Sequence, residues 1–263
     1  MWLSFVALSS IVPAVAQGFR GRAERDAVFW ASFAVGIAGP VLWVLVHSST
    51  AWQTGLAATL WVTIAATMTL YAVVAATFRQ AWRLAPLLAG YMLLLGLGAV
   101  VWHNAGGGPM QAGADARAWV DIHIATAVVT YGLVTIAAVA AFAAFLQERT
   151  LKRKRSTVVS RSLPSIADCD SLQFTLLQYG EAVLAMGLAT GMGLLYRESG
   201  EILLFNHKIV LTVAAFVVIG ALLIAHRWAG IRGKRAARLI LLGYLLLTLG
   251  YPGVKFVTDV LLA

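Results

Sequence analysis

Basic residues recur in clusters along this chain, and between the clusters lie long stretches with no charge at all. The uncharged runs are Met1–Gly18, Val28–Val46, Thr54–Phe78, Leu84–Trp102 and Ile124–Gln147. Three further apolar runs carry a few polar residues: Leu172–Tyr196, Leu204–Ala225 and Leu239–Ala263. Most are about 20 residues or longer, the length an α-helix needs to cross a hydrocarbon core of about 30 Å. Only helices and closed barrels satisfy their backbone in lipid, and barrel strands would alternate in polarity. These runs are continuous, so they are read as helices. A soluble fold is excluded by composition. The chain is 60% hydrophobic and only 12% charged, about half the charged fraction of soluble domains. The expected fold is all-α: one integral membrane domain over residues 1–263, a bundle of about eight transmembrane helices.

The position of the positive charge sets the expected orientation. Arg20, Arg22 and Arg25 lie between runs one and two, and Arg79 and Arg83 between runs three and four. Arg149, Lys152, Arg153, Lys154, Arg155 and Arg161 lie between runs five and six; Arg227, Arg232, Lys234, Arg235 and Arg238 lie between runs seven and eight. Of the 20 Lys and Arg, only Arg117, Arg197, Lys208 and Lys255 fall elsewhere. Alternate loops thus hold the charge, and the positive-inside rule makes those loops cytoplasmic and both termini extracytoplasmic. The net charge of +9 therefore reflects topology and anionic lipid rather than nucleic acid. The first run also contains Ala14-Val15-Ala16, which resembles a signal-peptide cleavage site. Charge order opposes that reading: no Lys or Arg precedes the run and three Arg follow it.

The topology sorts the histidines. His47, His103, His123 and His207 fall at extracytoplasmic ends of four different segments; only His226 is at a cytoplasmic end. A single interfacial His is ordinary, because its ring is amphipathic. His123 and His207, however, each lie just inside a hydrophobic helix, where a polar ring needs a partner. Two facing imidazoles would form an axial pair for a haem iron, which makes both candidate metal ligands. Thr126 and Thr130 continue the His123 face, with Tyr131 beside them, and Trp119 and Asp121 precede it. Arg117, Arg197 and Lys208 are candidate partners for haem propionates, or else rim charges. Lys255 and Asp259 are four residues apart and able to pair on one helix face. Glu181 is an intramembrane carboxyl. Gly187 and Gly191 form a GxxxG pattern read as a close-packing device. Gly106-Gly107-Gly108 lacks the context of a phosphate loop and reads as a flexible outer loop or lid. The single cysteine, Cys169, permits no disulfide or thiolate metal site within one chain.

Four stretches carry a resemblance. Trp119-Val120-Asp121-Ile122-His123 opens a helix that ends in Phe145-Leu146-Gln147-Glu148-Arg149 and a basic run. Leu163-Pro164-Ser165 precedes the next helix, and Asn206-His207-Lys208 opens the one after. Gly250-Tyr251-Pro252-Gly253-Val254-Lys255-Phe256-Val257 lies near the end. In this order they resemble the cytochrome c assembly family, within its CcsA/CcmC-like proteins and nearest the HemX/YpjD-type branch. The resemblance runs over 118–263. It implies a multi-pass protein of the bacterial inner membrane that binds haem non-covalently, as b-type haem, on the extracytoplasmic face and serves cytochrome c biogenesis with other membrane haem-protein partners. It implies cofactor contacts from His123, His207, Lys208 and Lys255, with less support for His103, His47 and Trp119. Synthase-type relatives carry a Trp-rich segment that packs on haem. Here Leu203-Leu204-Phe205-Asn206 stands in its place, which argues against bond-making catalysis and for haem handling. Two other readings stay open: a non-enzymatic accessory subunit of a membrane haem-protein complex, and a small transporter using Glu181 and Lys255.

Overall fold

The computed structural model describes residues 1–19, 25–48, 53–108, 114–154, 162–200 and 207–262. Each of the eight apolar runs gives a helix, and no β-strand occurs among the described residues. The helices are α1 (Trp2–Ala16), α2 (Ala27–His47), α3 (Leu56–Thr77), α4 (Ala85–Val101), α5 (Ala114–Arg153), α6 (Ile166–Ser199), α7 (His207–Ala229) and α8 (Gly233–Thr248). A 3-10 turn, Ala81–Leu84, leads into α4. The chain continues beyond α8 in wider π-type turns to Leu261.

Six of these helices are long and apolar enough to cross a membrane: α2, α3, α4 with its leading turn, α5, α7, and α8 with its continuation. The sequence expectation was about eight. α1 has 15 residues, about 22 Å of helix, which is short of a 30 Å core. α6 has 34 residues, but Gln173, Gln178, Glu181 and Thr190 dilute its apolar character.

The charge clusters gather at one end of the bundle. Arg25 donates to the carbonyl of Ala76 at the end of α3 (3.2 Å). Gln147 reaches the carbonyls of Leu163 and Pro164, and Gly233 packs on Glu148. A small cleft joins Arg79 and Gln80 to Pro164 and Asp168. Arg20, Arg22, Arg155 and Arg161 lie outside the described residues. The opposite end holds His47, His103, His123 and His207.

The centre is built by α3 and α5. Trp61, Ile64, Met68 and Tyr71 of α3 are fully buried, as are Ile136, Ala137, Ala140, Ala141 and Ala143 of α5. Small side chains on α5 let neighbouring backbones approach closely, the main source of helix association in lipid. α6 packs along α5 over most of its length.

Over 102–108 the loop after α4 is pinned by backbone and ring contacts. Gly106 and Gly107 adopt φ of +54° and +94°, which only glycine takes without strain. A Cβ at Gly107 would collide with the Gly55 backbone. Thr54 bonds Gly108 through its N–H (3.2 Å) and its hydroxyl (3.0 Å), and Trp102 packs edge-on against Phe256.

Asp259 closes this clasp. Its Oδ2 accepts the Leu56 N–H at the start of α3 (3.1 Å), while Thr258 donates to its other oxygen. Asp259 therefore caps α3 across the chain, and forms no ion pair with Lys255 among the described residues. The i, i+4 spacing permitted that pair, but free α3 N–H groups supply a better-directed donor and a favourable dipole. Asp259→Ala is expected to cost about 1 kcal/mol, read as a lower apparent Tm in detergent, with Asp259→Asn retaining most of the stability.

Candidate functional site

A cavity of about 440 Å³ opens between α5, α6, α7 and the π-type turn after α8. Apolar side chains, among them Val120, Leu184, Leu188 and Leu247, form most of the wall, with His123, Thr130, Tyr131, Lys208, Thr212 and Tyr251 as the polar groups. Its size is that of a cofactor pocket. The π-type turn has a local cause. Pro252 has no N–H to continue the α-helical ladder, and the N–H of Val254 reaches back five residues to Leu249. The wider turn places Gly250 and Tyr251 in the cavity wall.

His123 is held by α6. Its Nδ1 lies 3.1 Å from the Gly187 carbonyl and 3.2 Å from the Thr190 hydroxyl. A carbonyl only accepts, so Nδ1 carries the proton in this bond. Thr190 donates its own proton to the same carbonyl (3.0 Å) and is left as an acceptor. Nε2 has no hydrogen bond among the described residues and keeps its lone pair. A Cβ at Gly191 would stand 2.9 Å from His123 Cε1. The GxxxG pattern thus does more than bring two backbones together. Gly187 supplies the acceptor and Gly191 the space for the ring. Sequence reading had both glycines and the histidine but no link between them, because a spacing on α6 says nothing about which residue of α5 fills it.

His207 is exposed at the first residue of α7 and is not among the cavity-lining residues; its neighbour Lys208 is. Arg117 and Arg197 are exposed at the same end of the bundle, and Lys255 is half-buried away from the cavity wall. Trp119 is 43% exposed and is not among the cavity-lining residues, to which the adjacent Val120 belongs. His47 stacks on Trp43 and bonds its carbonyl (3.0 Å). His103 is half-buried in the pinned loop, and His226 stacks on Phe174 at the basic end and bonds the Ile231 carbonyl (2.9 Å). Asn206 and the Leu203–Phe205 stretch lie outside the described residues.

Beneath the cavity runs a hydroxyl chain that the sequence did not suggest. Tyr131 OH meets Tyr244 OH at 3.1 Å and Thr248 Oγ1 at 3.2 Å, and Tyr244 OH meets Tyr91 OH closely. It ties α5 and α8 to α4. Tyr244→Phe removes the central hydroxyl and strips Tyr91 of this partner. The expected cost is about 1–3 kcal/mol, seen as a lower apparent Tm with the helical signal retained.

The residues present fit a metalloporphyrin. A metal-binding imidazole commonly donates its second N–H to a backbone carbonyl, the arrangement of His123. Lys208 offers a cation at the wall for a carboxylate. Thr130 is 2% exposed and its Oγ1 has no partner, so the deep wall retains an unsatisfied polar atom that a bound molecule or water would meet.

The model of the cytochrome C assembly protein family matches residues 31–262. The chain belongs to this family. An uncharacterised 28.8 kDa protein of Azospirillum brasilense, encoded in a nifR3-like 5′ region, is 50% identical over 98% of this chain and 97% of its own length. The inner membrane protein YpjD of Escherichia coli K12 is 28% identical over 53% of this chain and 52% of its own length. This member of the cytochrome c assembly family is a multi-pass membrane protein, and its family is associated with haem handling. The match reaches back across α2, α3 and α4, beyond the motifs quoted above.

Cys169 sits at the basic end of α6, away from His123. Burial, then the Asp168 and Asp170 carboxylates, push its thiol up to about 12, which leaves it unreactive at neutral pH.

Proposed function

We propose that this protein binds b-type haem non-covalently at the cavity beside His123 and presents it on the extracytoplasmic face of the bacterial inner membrane during cytochrome c biogenesis. One observation carries the reading: His123 is fixed by Gly187 and Thr190 through Nδ1, with Nε2 unpaired at a cofactor-sized cavity. Haem would supply redox-active iron there. The chain's own residues do the rest. His123 offers Nε2 as a ligand, and Lys208 offers a cation to a propionate. The apolar wall excludes water. Arg117 and Arg197 add positive charge at the rim, and Lys255 a further cation at this end. His207, next to Lys208 at the mouth, is the candidate second ligand. Non-covalent binding is supported by the position of Cys169, the single cysteine, at the opposite end of the bundle. The orientation rests on the basic loops, which favour the cytoplasm.

The test is an absorption spectrum of the protein purified in mild detergent from haem-replete cells, oxidised and then dithionite-reduced. A Soret band with sharp reduced α and β bands is expected. Their change to a single-histidine spectrum in His207→Ala would support His207 as second ligand; an unaltered spectrum would remove it. A haem-free protein that also fails to take up added hemin would favour the accessory-subunit reading, which the absence of a Trp-rich segment supports. Glu181 and Lys255 share no hydrogen bond or ion pair among the described residues, so the transporter reading gains nothing from their placement.

A further inference from the structure

The chain holds one carboxyl in the middle of the bundle that the haem reading leaves without a role. Glu181 of α6 turns towards α7: the place a Cβ would occupy on Gly220 lies 2.9 Å from its Oε1. Its Oε2 is buried without a hydrogen-bond partner. Gly220 is thus the opening that admits the carboxyl between the helices.

The depth of this group is set by its neighbours. Gly180 packs on Leu133 and Val134 of α5, so Glu181 stands level with the 130–134 turn. Two more unpartnered buried atoms belong to that level, Thr130 Oγ1 and Thr67 Oγ1, the latter 3.5 Å from the Cβ position of Gly132. The Tyr131 and Tyr244 hydroxyls meet at the same depth. Above it, the cavity reaches Thr130 and Leu184, and Leu184 is one turn from Glu181 on the same face of α6. A polar layer therefore crosses the bundle directly beneath the cavity floor, with Glu181 as its carboxyl.

Among the described residues, no charged group balances a carboxylate at this position. α7 presents Gly220, and α5 presents the Leu133–Val134 turn; the titratable side chains at this depth, Tyr131, Tyr244 and Tyr91, are engaged with one another. Neither Glu181 oxygen bonds or pairs with a cation among the described residues. An unpaired carboxylate in a low-dielectric interior is costly and takes up a proton instead. A cationic ligand held in the cavity above would reverse that balance through unscreened attraction.

We propose that Glu181 is a proton-binding site beneath the cavity, protonated when the cavity is empty and deprotonated when a metalloporphyrin with a positively charged core fills it. The inference rests on the haem reading for the identity of the ligand. In the step, the carboxyl O–H bond breaks, its electron pair stays on the carboxylate, and the proton passes to water. No electron transfer is involved. Entry of a ferric core thereby exchanges one positive charge for another beside Glu181, while the propionates are left to the basic residues at the mouth.

The test uses dicyclohexylcarbodiimide, a lipophilic reagent for protonated carboxyls. The acid proton moves to a carbodiimide nitrogen, the carboxylate oxygen bonds to the central carbon, and acyl migration to nitrogen leaves a stable N-acylurea. Glu181 is half-buried, and its neighbours Ala182 and Ala185 are exposed on the outer face of α6, within reach of such a reagent. The full-length protein in lipid nanodiscs is labelled empty, with hemin, and with zinc protoporphyrin, and the modified peptide is quantified by mass spectrometry. Glu181→Gln serves as the unlabelled control. Hemin carries a net positive charge at its ferric core, whereas the zinc core is neutral and of the same shape. The expected result is labelling of Glu181 in the empty protein, several-fold less with hemin, and little change with zinc protoporphyrin. An unlabelled Glu181 in the empty protein overturns the proposal, and an equal decrease with both porphyrins does so by showing simple shielding. Soret absorbance of the same samples separates the two failures. Hemin that binds without changing the labelling sinks the proton coupling alone; hemin that does not bind sinks the haem reading beneath it.

Discussion

Replacing His123 by Ala is expected to raise the hemin Kd by about 100-fold or more, while the helical signal and elution volume in detergent stay unchanged. Loss of supporting partners around a metal ligand typically costs about 10–100-fold, and loss of the ligand itself should cost at least the upper figure, roughly 2.8 kcal/mol. The reasoning starts from the ring. Gly187 accepts the Nδ1 proton, the lone pair remains at Nε2, and the ring stands in a largely apolar wall. Ala removes the ligand and leaves space, so added imidazole should restore much of the binding. That rescue separates loss of a ligand from general damage. Hemin titration followed at the Soret band is the measurement. Unchanged affinity in His123→Ala would mean that the iron, if bound, takes its ligand elsewhere, and the cavity reading would fall.

Gly191→Ala is expected to weaken hemin binding by about 10–100-fold, whereas Gly187→Ala should change it little. The two glycines are one turn apart on α6, and a membrane-packing motif would treat them alike. Their neighbours differ. A methyl group at 191 would stand 2.9 Å from His123 Cε1, closer than real contacts allow. At 187 it would meet Thr126 Oγ1 at 3.4 Å, an ordinary contact, and the backbone carbonyl that holds Nδ1 would remain. The ring must therefore move in the first variant and not in the second. Thr190→Val provides an intermediate, since it removes one acceptor and leaves the carbonyl. A shift in the Soret maximum of Gly191→Ala, with Gly187→Ala unshifted, is the spectroscopic companion to the titration. Equal effects of both alanines would reduce the pair to a packing device.

Much of the fold is legible in the sequence because lipid imposes simple demands. A chain that satisfies its backbone inside hydrocarbon shows long apolar runs, and each of the eight runs is a helix in the structure. The described Lys and Arg of the clusters lie at one end, as their alternation requires. The number of spans was less legible. α1 and α6 are apolar enough to be counted as runs, yet one is short and the other carries buried polar groups that make sense only against α5 and α7. The Lys255–Asp259 pairing failed for a related reason. Helical spacing gives neighbours on one element, but it could not reveal that the start of α3, some 200 positions away in the chain, offers Asp259 an unsatisfied N–H. In the glycine-rich loop, the freedom of φ serves a close approach to the Gly55 backbone, a contact that the run of glycines by itself could not announce.

The sequence by itself determined the solvent, the helices, the segregation of charge and the short list of polar groups worth following, since each depends on local composition or spacing along the chain. It also supplied the family resemblance that the comparison with known members bears out. Tertiary structure decided which members of that list meet. It joined His123 to Gly187, Thr190 and Gly191 and set Lys208 on the same cavity wall. His207 it left at the mouth, and Tyr91, Tyr131 and Tyr244 became one hydroxyl chain. The reason is geometric. Hydrogen bonds and close packing depend on the rotation and depth of one helix against another, and those are fixed only when all the helices pack together.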